Sequence, residues 1–132
     1  KIPAFRPKKG TDWLFSQEEA DRVQEFRKCI ECFLCQDVCH VLRDHHLHDK
    51  FVGPRLLVYT AALEMHPLDV EDRVSDLRHE HGVGFCNITK CCTKVCPEGI
   101  TITDNAIIPL KERVVDQFFD PLAKLLRVFK GR

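Results

Sequence analysis

No stretch of this sequence is long and apolar enough to cross a bilayer. The most apolar segment, 51–63, is broken by Gly53, Pro54 and Arg55, and a spanning helix needs roughly 20 apolar residues. Net charge is also missing. Twenty basic side chains balance 20 acidic ones, so nothing marks a global nucleic-acid binder. There is no Gly-rich phosphate loop, no nucleophile–base arrangement and no carboxylate pair recognisable as acid–base machinery. Convincing strand alternation and long internal repeats are absent too, which leaves an all-α fold class. The opening Lys1-Ile2-Pro3-Ala4 has neither an initiator Met nor a signal-peptide pattern. It reads as the middle of a longer chain or as a processed product.

Cysteine is plentiful: eight residues in 132. An even number raises the question of a disulfide framework. Small disulfide scaffolds spread their cysteines along the chain, whereas residues 40–85 hold none here. Two tight groups point instead to bound metal in a reducing compartment.

The first group is Cys29-x2-Cys32-x2-Cys35-x3-Cys39. The second is Cys86-x5-Cys92-x3-Cys96-Pro97, with Cys91 in addition. The first run has bacterial-ferredoxin spacing, in which the fourth cysteine serves the other cluster. Three cysteines two residues apart wrap three corners of one cube, and the fourth starts a helix that points away. This assigns Cys29, Cys32, Cys35 and Cys96 to a [4Fe–4S] cluster, and Cys39, Cys86 and Cys92 to a second cluster. The fourth ligand of that second cluster would fall at Thr89, whose hard hydroxyl suits iron–sulfide chemistry poorly. Three thiolates predict [3Fe–4S]. The alternative is a second [4Fe–4S] cluster in which Cys91 supplies the ligand; otherwise Cys91 is a buried, inert thiol. Zinc is a poor match, because its four tetrahedral ligands come as two pairs.

Around these motifs the pattern is helical. Ser16-Gln17-Glu18-Glu19 forms a capping box, so a helix is expected from there to about Lys28, after an extended arm over 1–16. The domain then runs over 17–132. A short helix is expected from near Gln36 to about His46. Another opens at Pro54 and stops before Pro67. A third begins near Asp69, with Gly82 after its end. A fourth could be capped by Asp104, with Pro109 inside it predicting a kink or a later start, and a last one covers 122–130. His40, beside Cys39, is a candidate for tuning a cluster or lining a quinone approach, together with Asn87 and Thr89. His45, His46 and His48 read as solvent-facing. Lys90, Lys94 and Arg43 could offset cluster charge.

The stretches Lys28-Cys29-Ile30-Glu31-Cys32-Phe33-Leu34-Cys35 and Cys86-Asn87-Ile88-Thr89-Lys90-Cys91-Cys92-Thr93-Lys94-Val95-Cys96-Pro97 resemble the motifs of succinate dehydrogenase and fumarate reductase iron–sulfur subunits. Gly53-Pro54-Arg55 resembles the helix opening between them, and the match covers about 17–110. The resemblance implies an alpha-helical ferredoxin-like domain. It also implies a relay from an FAD-containing flavoprotein, through [2Fe–2S], [4Fe–4S] and [3Fe–4S] clusters, to a membrane quinone. The implied partners are that flavoprotein, a [2Fe–2S] ferredoxin domain and a cytochrome b-type membrane anchor. The implied location is peripheral, on the cytoplasmic face of a bacterial inner membrane or the matrix face of the mitochondrial one. The chain would conduct electrons without carrying the dicarboxylate site. Two departures stand out. The family's N-terminal ferredoxin domain is absent from this sequence. Cys39 is followed by His40, Val41, Leu42 and Arg43 with no tryptophan, which is more like menaquinone-linked members. Rival assignments are an iron–sulfur subunit of a heterodisulfide reductase-like or glycerol-3-phosphate dehydrogenase-like complex, and a zinc-binding interaction module. Thr89 argues against the first two.

Overall fold

Helix α1, Gln17–Arg27, starts where the capping box requires: the Ser16 hydroxyl accepts from the Glu19 N–H, and the Glu19 carboxylate accepts from the Ser16 N–H. Such a cap stabilises a helix by about 1 kcal/mol. The computed structural model describes residues 2–10 and 13–121. Within them the chain is helical, and the sole extended pairing sets residue 7 against residue 69.

Where a single helix was expected from near Gln36 to His46, two short ones occur: α2, Leu34–Asp37, and α3, His40–Arg43. The break falls at Cys39, which is extended. Extension there reorients the fourth cysteine of the first motif relative to the other three. Helix α4, Pro54–Glu64, begins with its proline in the first turn, where a missing N–H costs nothing. It is the central element, packing against α1 and α2, and it buries Leu57, Val58 and Ala61.

The helix expected from Asp69 instead begins at Val74, as α5, Val74–His79. Residues 69–72 are diverted to the N-terminal arm. The Val70 N–H donates to the Arg6 carbonyl and the Lys8 N–H to the Leu68 carbonyl. Arg73, fully buried, donates to the carbonyls of Pro3 and Ala4 and pairs with Asp69. Gly82 follows α5 with φ of 60°, and a Cβ there would meet the Lys50 carbonyl oxygen at 1.8 Å. A 3-10 turn, Val83–Phe85, leads into the second motif, which contains α6, Cys91–Lys94.

Asp104 does not cap a helix. It lies within a π-helical turn, Ile102–Ile107, that runs directly into α7, Ile108–Phe118, and it pairs with Lys90 at 2.8 Å. Pro109 accounts for the widened turn, since a proline offers no N–H to a regular helix and crowds the carbonyl four residues back. α7 packs on α5 and α4 packs on the π turn, burying Ile102, Ala106, Ile107 and Leu110. The helix expected over 122–130 lies outside the described residues.

Candidate functional site

The two cysteine motifs fold into the same loop. In the first, Glu31 and Phe33 have left-handed backbones (φ 58° and 62°); in the second, Ile88 and Lys90 do (φ 62° and 60°). Phe33 then starts α2, and Lys90 starts α6. Position for position, Cys29 matches Cys86, Cys32 matches Thr89, Leu34 matches Cys91, Cys35 matches Cys92 and Cys39 matches Cys96. A left-handed conformation is strained for a β-branched residue such as Ile88, and strain of this kind concentrates at functional sites. Alternating left- and right-handed residues also turn successive backbone N–H groups toward one concavity, an arrangement that suits anions and iron–sulfur centres.

α2 and α6 pack together, which brings the two loops side by side. Cys29, Cys32, Cys35 and Cys96 line one small cavity, together with Ile30, Phe33, Arg55, Val58 and Ile100. One thiol from the second motif thus joins three from the first. Burial pushes the Cys35 thiol up to about 12, and the neighbouring Cys92, Cys29, Cys32 and Cys96 reinforce the shift.

A second thiol group lies beside it. Burial raises Cys39, Cys86 and Cys92, and each also feels the charge of other members: Cys91 and Cys86 act on Cys39, Cys92 and Cys91 on Cys86, and Cys91 on Cys92. Cys35 and Cys92 are within electrostatic reach of each other, so the two groups are adjacent. Thr89 holds the place that Cys32 has in the first loop, and its hydroxyl lies 3.4 Å from the Cys91 sulfur. Cys91 is half-buried and matches Leu34, which is not among the residues lining the first cavity.

His40 and Asn87 come together, with Nε2 and Nδ2 2.5 Å apart, so they tie α3 to the second loop. His45, His46 and His48 are exposed. Lys90 is engaged by Asp104 and Arg43 by Asp44.

Several contributors had no motif to announce them. The buried Thr103 hydroxyl lies 3.3 Å from the Cys92 sulfur and accepts from Thr93. Lys111 donates to the Cys86 carbonyl and works against the rise of that thiol. Gln36, between Cys35 and Cys39, clamps the start of α4. It donates to the Val52 carbonyl at 2.8 Å and accepts from the Arg55 N–H at 3.2 Å. Its presence in the three-residue gap of the first motif was the available signal.

The donor set fits clusters better than a single ion. Among the described residues no three His, Cys, Asp or Glu side chains converge as a lone metal would require. The thiols surround a space rather than a point. Arg55, one of the residues lining that space, carries a buried Nε–H that lacks a protein acceptor. Soft sulfur donors around an apolar void suit iron–sulfide cores.

The family described as a 4Fe-4S dicluster domain matches residues 25–100. The chain is 27% identical over 105 residues to a subunit of the fumarate reductase (CoM/CoB) of Methanothermobacter marburgensis, covering 80% of this chain and 21% of that protein. It is 26% identical over 100 residues to the succinate dehydrogenase iron-sulfur subunit of Bacillus subtilis, covering 74% and 35%. A chain of the Mycobacterium smegmatis Sdh1 complex in the apo form superposes with a TM-score of 0.86 at 57% identity, covering 92% of this chain and 52% of that one. This chain therefore spans about half of that solved chain, and about a third or less of the two curated relatives.

Proposed function

The chain belongs to the 4Fe-4S dicluster domain family, and from that premise we propose that it is the electron-relaying part of a succinate dehydrogenase or fumarate reductase. The observation that carries this reading is the gathering of Cys29, Cys32, Cys35 and Cys96 around one cavity, next to a second thiol group. Likeness to relatives named for these two enzymes supports it.

In this reading Cys29, Cys32, Cys35 and Cys96 hold a [4Fe–4S] cluster, and Cys39, Cys86 and Cys92 hold a [3Fe–4S] cluster. Thr89 stands where a fourth thiolate would be, and Cys91, at the position matching Leu34, adjoins Cys39, Cys86 and Cys92 without serving as a ligand in this reading. Bound clusters supply one-electron carriage. The residues do the rest. Buried thiols release their protons only to metal, because burial otherwise keeps them protonated. Val58, Ile100 and Ile102 keep water from the first cage. The adjacency of Cys35 and Cys92 keeps the two cages close, as rapid electron transfer requires. Lys111 places positive charge beside Cys86 and offsets part of the charge that thiolates bring.

The proposed partners are an FAD-containing flavoprotein, a [2Fe–2S] domain, and a membrane anchor that presents a quinone, menaquinone in this reading. The chain would sit peripherally on the membrane face where that anchor opens. Among the described residues no helix is long and apolar enough to cross a membrane. Exposed apolar side chains around both loops, Ile30, Phe33, Leu34, Phe85 and Ile88, suit burial against such partners.

Iron and labile-sulfide analysis of anaerobically purified protein, with EPR of the oxidised state, tests the proposal. The expected result is brown protein with a near-isotropic three-iron signal, and a four-iron signal on reduction. Colourless protein containing zinc would overturn it.

A further inference from the structure

Among the described residues, Arg55 is the one charged side chain on the wall of the first cavity that is more than nine-tenths buried. Three contacts fix it. Its backbone N–H donates to Gln36 Oε1. Its terminal nitrogen pairs with the carboxylate of Glu31, an exposed residue of the first cysteine loop. Its guanidinium carbon lies 5.8 Å from the ring centroids of both Phe33 and Tyr59. With that fork held, Nε remains buried and without an acceptor. A buried charged donor is costly to leave unmatched, and the native fold tolerates one where a bound group completes it.

We propose that Arg55 sets the reduction potential of the first cluster, donating its Nε–H to a sulfur of the cage while Glu31 holds the guanidinium from outside. The inference rests on reading the Cys29–Cys32–Cys35–Cys96 cavity as an iron–sulfur site. Reduction adds negative charge to a cluster. A fixed cation and a hydrogen bond to sulfur favour the reduced form, so both raise the potential. Glu31 works against this by partly neutralising the guanidinium. The pair is thus a built-in adjustment whose two halves act in opposite directions. A merely structural Arg55, packed between Phe33 and Tyr59, would affect stability and leave the potential alone.

The experiment is an EPR-monitored redox titration of the protein with its native partners and clusters. Arg55→Met should lower the midpoint of the four-iron cluster. Arg55→Lys, which keeps charge but lacks the planar fork, should lower it by less. Glu31→Gln should raise it. The three-iron cluster should stay unmoved in all three variants. An unchanged four-iron midpoint in Arg55→Met and Glu31→Gln would overturn the inference while leaving the relay reading intact. If Arg55→Met fails to hold its cluster, Arg55→Lys decides: a lowered midpoint supports the role, and no shift removes it. A wild-type protein without any four-iron signal would overturn both the inference and the reading beneath it.

Discussion

Thr89 occupies in the second loop the place that Cys32 holds in the first, and in the proposed assignment this single exchange sets how many irons the second cage fixes. Thr89→Cys should therefore abolish the three-iron signal of the oxidised protein and add a second four-iron signal on reduction, both read by EPR. The mirror exchange, Cys32→Thr, should open the first cage in the same way. At the N-terminal arm, Arg73 is fully buried and holds two carboxylates, Asp69 and Glu64, that are themselves buried. Arg73→Met would strand them, at a cost of about 3–5 kcal/mol, seen as a lower midpoint in chemical denaturation. Burial, opposed by Arg113 and Arg73, already holds the Glu64 carboxyl above its usual range. Removing Arg73 raises it further, so the folded variant would bind more protons than the unfolded chain. Its deficit should narrow as the solution is acidified. At this scale the gathering of the cysteines into two motifs was legible because their spacing is written in the chain. Arg55, Thr103 and Lys111 were not, because each reaches the site from an element distant in sequence.

Among the elements, the joint between α2 and α4 is the least forgiving. Gly53 has φ of 87°, and a Cβ on it would lie 2.3 Å from the side-chain amide of Gln36. Gly53→Ala must therefore displace Gln36 and strain the backbone. Left-handed strain alone costs about 1–3 kcal/mol, and the α2–α4 clamp is lost with it. The expected result is a measurable drop in thermal midpoint together with weaker iron retention in the first cage, read by iron content after gel filtration. Helix existence was largely readable from sequence. The Ser16 capping box, the Pro54 start and the stop before Pro67 are local signals, and local signals survive folding. The start of α5 was misread by five residues because Asp69 and Val70 are drawn into pairing with the N-terminal arm, a contact that periodicity cannot reveal. Pro109 predicts a kink or a later start, and the regular helix does begin later, at Ile108, after a π turn whose width spares the Asn105 carbonyl a clash. The continuous helix expected after Gln36 failed at Cys39, where an extended residue aims a thiol instead of continuing a spiral.

For the molecule as a whole, the thiols make the cluster-free state sensitive to alkali. Cys35 ordinarily ionises near 9, and burial moves it to about 12 in the folded chain. Between those values the unfolded chain has lost the proton and the folded one retains it. Stability of the cluster-free protein is therefore full below about pH 9 and declines as pH rises toward 12. Anaerobic denaturation midpoints measured across this window should fall steadily, whereas the loaded protein, with its sulfurs already committed to metal, should hold level. The likeness of the two loops escaped sequence reading because it lies in left-handed backbone positions rather than in shared side chains. The placing of Cys96 beside Cys29 has a consequence for biogenesis. During translation the first three sulfurs leave the ribosome long before their companion. In the proposed assignment, metal loading of the first cage is thus a late event, held back until the second loop has emerged and docked, and a nascent chain stalled ahead of residue 96 would carry only an incomplete cube.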